Sequence, residues 1–128
     1  MAKAYGYHNH LVPTLAAPGN TAGTGSSATL ASCKFYLPVK AILLGIYATA
    51  TSATSVDTGA INVLAGSTKV TTSGITIVSG TLSGANTAIL GNAQKHEAGT
   101  IFALCHNATN TKNIANLSVQ LVFRTLKA

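Results

Sequence analysis

The sequence predicts an all-β protein: a single jelly-roll-like or immunoglobulin-like antiparallel β-sandwich preceded by an extended N-terminal arm. Three observations predict it. Apolar and polar residues alternate at period two, most clearly where Leu117, Val119, Leu121 and Phe123 interleave with Ser118, Gln120, Val122 and Arg124. Gly, Pro, Asn and Ser/Thr turn signals recur about every 8–12 residues, the spacing of a sandwich or barrel. No segment holds a 3.6-residue apolar stripe, and β-branched residues dominate the apolar runs.

The division expected is an arm and linker over 1–28 and a sandwich domain over 29–128. Pro13, Pro18, Gly19, Gly23 and Gly25 punctuate the first segment, and 17–27 has the composition of a linker. Tyr5, Tyr7, His8 and His10 give the arm a sticky tip, with Leu11, Val12 and Leu15 behind them. These seven residues are the interface candidates, because an arm that orders only on a partner must recover its entropy there.

The strands follow in order. Ala31, Cys33, Phe35 and Leu37 alternate with Ser32, Lys34 and Tyr36, a half-buried strand that Pro38 ends. Val39 to Thr49 is apolar on both faces, with Val39, Ala41 and Leu43 on one and Ile42, Leu44 and Ile46 on the other, so both faces need cover. A Ser/Thr-rich loop from Thr51 to Thr58 precedes a short strand, Ile61 to Leu64, turned at Gly66. Lys69 to Thr71 is a weaker candidate, Gly74 and Gly80 bound a strand over Ile75 to Val78, and Thr87 to Leu90 is another short strand, ended by Gly91 and Asn92. Gln94 to Gly99 reads as a polar loop, Ile101 to His106 as a strand, and Asn107 to Asn113 as a loop before the final strand.

Composition narrows the function. The 128 residues fit one domain, 47% are apolar, and only 8% are charged, against a norm of roughly 25%. Disorder, which goes with few apolar and many charged residues, is excluded. Asp57 and Glu97 are the only carboxylates, and nothing in their spacing suggests a catalytic pair, so no enzyme is expected. The net charge of +6 is spread singly over Lys3, Lys34, Lys40, Lys69, Lys95, Lys112, Arg124 and Lys127. Phosphate binding calls for a cluster with stacking aromatics, so direct nucleic-acid binding is not expected; weak steering onto an acidic protein surface is.

No secretory signal opens the sequence, and the longest apolar run, Ala41 to Ala48, falls far short of the roughly 20 residues of a membrane helix. A reducing cytoplasm is expected, with Cys33 and Cys105 as free thiols and the two glycosylation sequons, at Asn107 and Asn116, unused.

Four constellations are candidates for chemistry. His8 and His10 share a face of an extended segment and would begin a metal site only with further ligands; no metal is assigned. Cys105 and His106 are neighbours on a strand and point to opposite faces, so they cannot form a nucleophile–base pair. His96 and Glu97 read as a solvated turn, and the glycine-rich 22–27 lacks the Lys-Ser/Thr ending of a phosphate loop. No cofactor is expected.

A chain with mean hydropathy +0.36 and so little charge leaves apolar surface to be covered, which points to a homo-oligomer in a static assembly. Ala98-Gly99-Thr100-Ile101 before a strand, the terminal Asn116-to-Phe123 strand and the apolar Val39-to-Thr49 strand preceding a Ser/Thr loop resemble tailed-phage capsid decoration, or cement, proteins with a jelly-roll-like domain. The likeness spans about 100 residues in style and has no single diagnostic motif. It implies a virion protein made in the host cytoplasm, bound to the major capsid protein on the outer lattice, often as a trimer, stabilising the expanded shell. Another virion part (tail, neck or head-fibre subunit) is the alternative. A carbohydrate- or surface-binding sandwich is disfavoured by the absence of Trp.

Overall fold

The computed structural model describes residues 10–22, 29–53, 61–106 and 113–126. Their strands are β1 (His10–Leu11), β2 (Thr14–Ala22), β3 (Thr29–Tyr36), β4 (Ala41–Thr49), β5 (Ser52–Ala53), β6 (Ile61–Ala65), β7 (Thr68–Lys69), β8 (Ser83–Asn86), β9 (Lys95–His96), β10 (Ile101–His106) and β11 (Asn113–Thr125). A single 3-10 turn, Gly91–Ala93, is the helical element among the described residues. No described helix is long and apolar enough to cross a membrane.

The strands form two antiparallel sheets that face each other, the expected sandwich. The larger has seven strands built around β11, which pairs with β1 and β2 along one side and with β4 and β5 along the other; β8 and β9 extend β4. The smaller has four strands in the order β3-β10-β6-β7. Leu117, Val119, Leu121 and Phe123 point inward from β11, as their alternation predicts, and meet Leu15, Ala17, Leu43, Ile46, Phe102 and Leu104. An aromatic series crosses the core. His96 meets Phe102 edge-on at 4.8 Å, Phe102 meets Phe123 at 5.1 Å, and Phe123 meets Phe35 at 6.0 Å.

Residues 10–22, which the sequence places in the arm, lie in the larger sheet. β2 runs against 113–120 of β11, with Val119 opposite Leu15 and Leu117 opposite Ala17. Leu15, an interface candidate, is only 2% exposed and packs in this chain's own core. The short apolar alternation at 15 and 17 was masked by the punctuation around it. Pro13 falls between β1 and β2, and Pro18 is tolerated because β2 pairs on one side only, where a missing N–H breaks no second ladder. Pro18 and Gly19 form an irregularity opposite Asn116: the register shifts between Ala115, paired with Asn20, and Leu117, paired with Ala17. Gly19 takes φ 77° and Asn116 φ 52° there. On its other side β2 approaches β3, where the Cys33 thiol donates to the Ala16 carbonyl at 3.1 Å.

The two-faced apolar strand is partly the signature of a bulge. Phe123 pairs with Leu43 and Val122 with Gly45, so Leu44 is the extra residue. The bulge switches phase: Ala41 and Leu43 point inward before it, Ile46 and Ala48 after it. Ile46 therefore shares the inward face with Ala41 and Leu43, not the face of Ile42 and Leu44 expected for it.

Three of the expected segments differ. Thr87 to Leu90 forms no strand; the ladder is Ser83–Asn86, where small residues allow close approach to Ile75. Ile75 and Val78 make only isolated bridges, to Ile61 and Thr81. Within the polar loop, Lys95 and His96 pair with Ile42 and Ala41. In each case the apolar side chains report burial correctly, but burial does not by itself fix which backbone pairs.

Candidate interaction surface

Among the expected interface residues, Tyr5, Tyr7 and His8 lie outside the described residues. Pairing to Arg124 places His10 on the outward face of the larger sheet, while Leu11, opposite Phe123, packs toward the core. Val12 follows, 47% exposed, and Pro13 gives its carbonyl to the Leu121 N–H at 3.0 Å. Val12 is thereby held opposite Val122.

His96 and Cys33 are held by hydrogen bonds to backbone carbonyls. The His96 ring donates Nε2–H to the Ala93 carbonyl at 2.6 Å and stacks edge-on against Phe102. His106 and Cys105 are both buried, on opposite faces of β10. Cys33 and Cys105 are not joined in a disulfide. Burial pushes the Cys105 thiol above its ordinary pKa against the opposing pull of Lys69, so it stays protonated. No three His, Cys, Asp or Glu side chains gather among the described residues where they could hold a metal ion.

Two open clefts flank the 97–99 turn. One, of about 400 Å³, is lined by Gly66, Asn92, His96 and Thr100 among others. The other, of about 580 Å³, lies between Val39, Ala98 and Leu126 and includes the exposed Lys40–Glu97 ion pair at 3.6 Å. In the first, the Thr100 hydroxyl donates to the Glu97 carbonyl at 2.8 Å and the His96 ring is held by the Ala93 carbonyl. Beside them Tyr36 and Ile101, paired across β3 and β10, are 65% and 43% exposed.

The outward face of the larger sheet carries the more organised surface. His10 pairs with Arg124, Arg124 with Ile42, and Ile42 with Lys95. Directly opposed residues share a face, so the fold aligns three basic side chains in one row around Ile42. His10, Arg124 and Lys95 are all exposed, and their neighbours Leu11, Phe123, Ala41 and His96 turn to the other side. At strand spacing the row spans roughly 14 Å. An apolar strip borders it: Val12, half-buried Val122, the bulged Leu44 at 38% and Tyr47 at 39% exposure. Gly45 makes room for Tyr47, since a Cβ there would lie 3.3 Å from the tyrosine ring and 3.1 Å from Thr87.

The sequence shows these basic residues as isolated, because 10, 95 and 124 become neighbours only through strand order and register. Asn116 was likewise missed. Its Oδ1 accepts the Gly19 N–H and its Nδ2 donates to Thr51 Oγ1 at 3.0 Å, tying β2 to the β4–β5 corner.

No family model and no curated protein matches the chain. Among solved structures it is similar to a chain described as cyanophage Pam1 capsid asymmetric unit, with TM-score 0.47 and 19% identity, over 98% of this chain and 92% of that one.

Proposed function

We propose that this protein is a structural component of a phage virion that binds the outer surface of the capsid and stabilises its lattice. The observation that carries the reading is the outward face of the larger sheet. In a chain only 8% charged, this face exposes Val12 on one side of Val122 and Leu44 and Tyr47 on the other. Such a strip on so uncharged a protein fits a surface that is covered in use. The β-sandwich and the resemblance noted in the sequence agree with it.

Within this reading the major capsid protein is the partner, and residues 1–12 add contacts to it or to a second copy of the chain in a trimer. The test mixes purified protein with bare expanded capsids of the cognate phage. Saturable binding and a higher capsid melting temperature are expected; absence of both overturns the proposal. Cryo-electron imaging of the mixture distinguishes a site on the capsid lattice from a position in a tail, neck or head fibre.

A further inference from the structure

We infer that the outward face of the larger sheet is the docking face, and that its occupant is a carboxylate-bearing protein surface met by the His10–Arg124–Lys95 row. The inference rests on the proposed function for the identity of the partner, the capsid exterior, but not for its chemistry. Three observations carry it.

First, the row is a product of register: three basic side chains from β1, β11 and β9 stand in line with only Ile42 between them. Second, Glu97, the one acidic residue among the described residues, pairs with Lys40 and not with the row. With a net charge of +6, a second copy of the chain presenting the same face would place cation against cation. An acidic partner is complementary. Third, the row borders the apolar strip of Val12, Val122, Leu44 and Tyr47. A phosphate backbone has no use for such a strip, and one tyrosine is a poor stacking platform. A protein surface uses both: apolar contacts at the centre and charges at the rim.

The partner is therefore expected to present two or three Asp or Glu side chains over roughly 14 Å, the reach of three strand spacings, beside an apolar patch. The charges set encounter rate and orientation, so binding should weaken as salt rises.

The test compares the full chain with two variants of equal charge change: Lys95→Glu with Arg124→Glu on the row, and Lys34→Glu with Lys69→Glu on the smaller sheet. Each is measured against immobilised poly-L-glutamate, duplex DNA and expanded capsids, after circular dichroism confirms folding. The row variant should lose binding to poly-L-glutamate and capsids roughly tenfold or more, and the other variant far less. Equal losses would show that net charge alone acts and overturn the docking face. Retained binding by the row variant overturns it as well. Tighter row-dependent binding to duplex DNA than to poly-L-glutamate overturns the protein partner. Row-dependent binding to poly-L-glutamate, with no wild-type binding to capsids, upholds the docking face and overturns the virion reading.

Discussion

The Asn116 side-chain carbonyl accepts the backbone N–H of Gly19 at 2.9 Å, although 97 residues separate them. Both residues sit at positive φ, facing each other across the irregularity between β2 and β11. The asparagine amide also reaches Thr51, whose hydroxyl donates to the Ala115 carbonyl at 3.2 Å.

Replacing Asn116 by Ala removes both hydrogen bonds and places a side chain ill suited to φ 52° there. The expected loss is about 1–2 kcal/mol, read from urea unfolding midpoints. Asn116→Gly keeps the backbone conformation and should isolate the hydrogen-bond share. Gly19→Ala meets no atom within 4 Å, so any cost there, about 1 kcal/mol, is backbone strain alone.

Phe102 is fully buried between His96 and Phe123 and joins the two sheets. Phe102→Ala should cost about 3–5 kcal/mol and lower the thermal midpoint clearly; Phe102→Leu should cost less, because it leaves a smaller void. Equal effects of the two would argue against void volume, and for the ring contacts, as the cause.

Asn62 and Thr71 form a closed buried network. Asn62 Nδ2 donates to the Thr71 carbonyl at 2.8 Å, Oδ1 accepts from the Thr71 hydroxyl at 3.1 Å, and that hydroxyl accepts the Gly74 N–H at 3.3 Å. Asn62→Ala strands the Thr71 groups and should cost about 1–3 kcal/mol. Pairing it with Thr71→Val should cost less than the sum of the two single changes in denaturant titration.

A Cβ on Gly84 would stand 2.7 Å from Ile75 Cγ2, so Gly84→Ala should destabilise by about 1–3 kcal/mol. Ile75→Ala deletes the clashing methyl. A double-mutant cycle should show positive coupling; strict additivity would disprove the contact as the cause.

Cys105 gives a pH signature. Burial raises its folded pKa, so the native state holds the thiol proton more tightly than the unfolded chain does. The associated stability is whole below the unfolded thiol pKa and disappears as pH rises through the folded one. Unfolding free energy should therefore fall at alkaline pH in the wild type and fall less steeply in Cys105→Ala, and the native thiol should resist alkylation at neutral pH.

Much of the fold was legible because period two maps directly to burial. β3, β10 and the alternating part of β11 lie where Cys33 and Leu37, Phe102 and Leu104, and Leu117 to Phe123 imply. What stayed hidden depends on partners distant in sequence. The extra residue at Leu44 becomes visible only against Phe123 and Val122. Pro18 and Gly19 resemble a linker until Asn116 is opposite them. The candidate site is the extreme case: Lys95 and Arg124 gain meaning as a pair only from the shared neighbour Ile42.

The central position of β11 fixes the order in which this molecule can be finished. Among the described residues β1 and β2 pair with no other strand, yet β11 leaves the ribosome after all ten others. Until then the inward faces of Leu15 and Ala17 wait uncovered beside an open edge, and closing that gap spans about a hundred residues. Folding should accordingly be slow. During that wait Pro13 and Pro18 act as guards, since a segment missing those two N–H groups is a poor template for a stray neighbour.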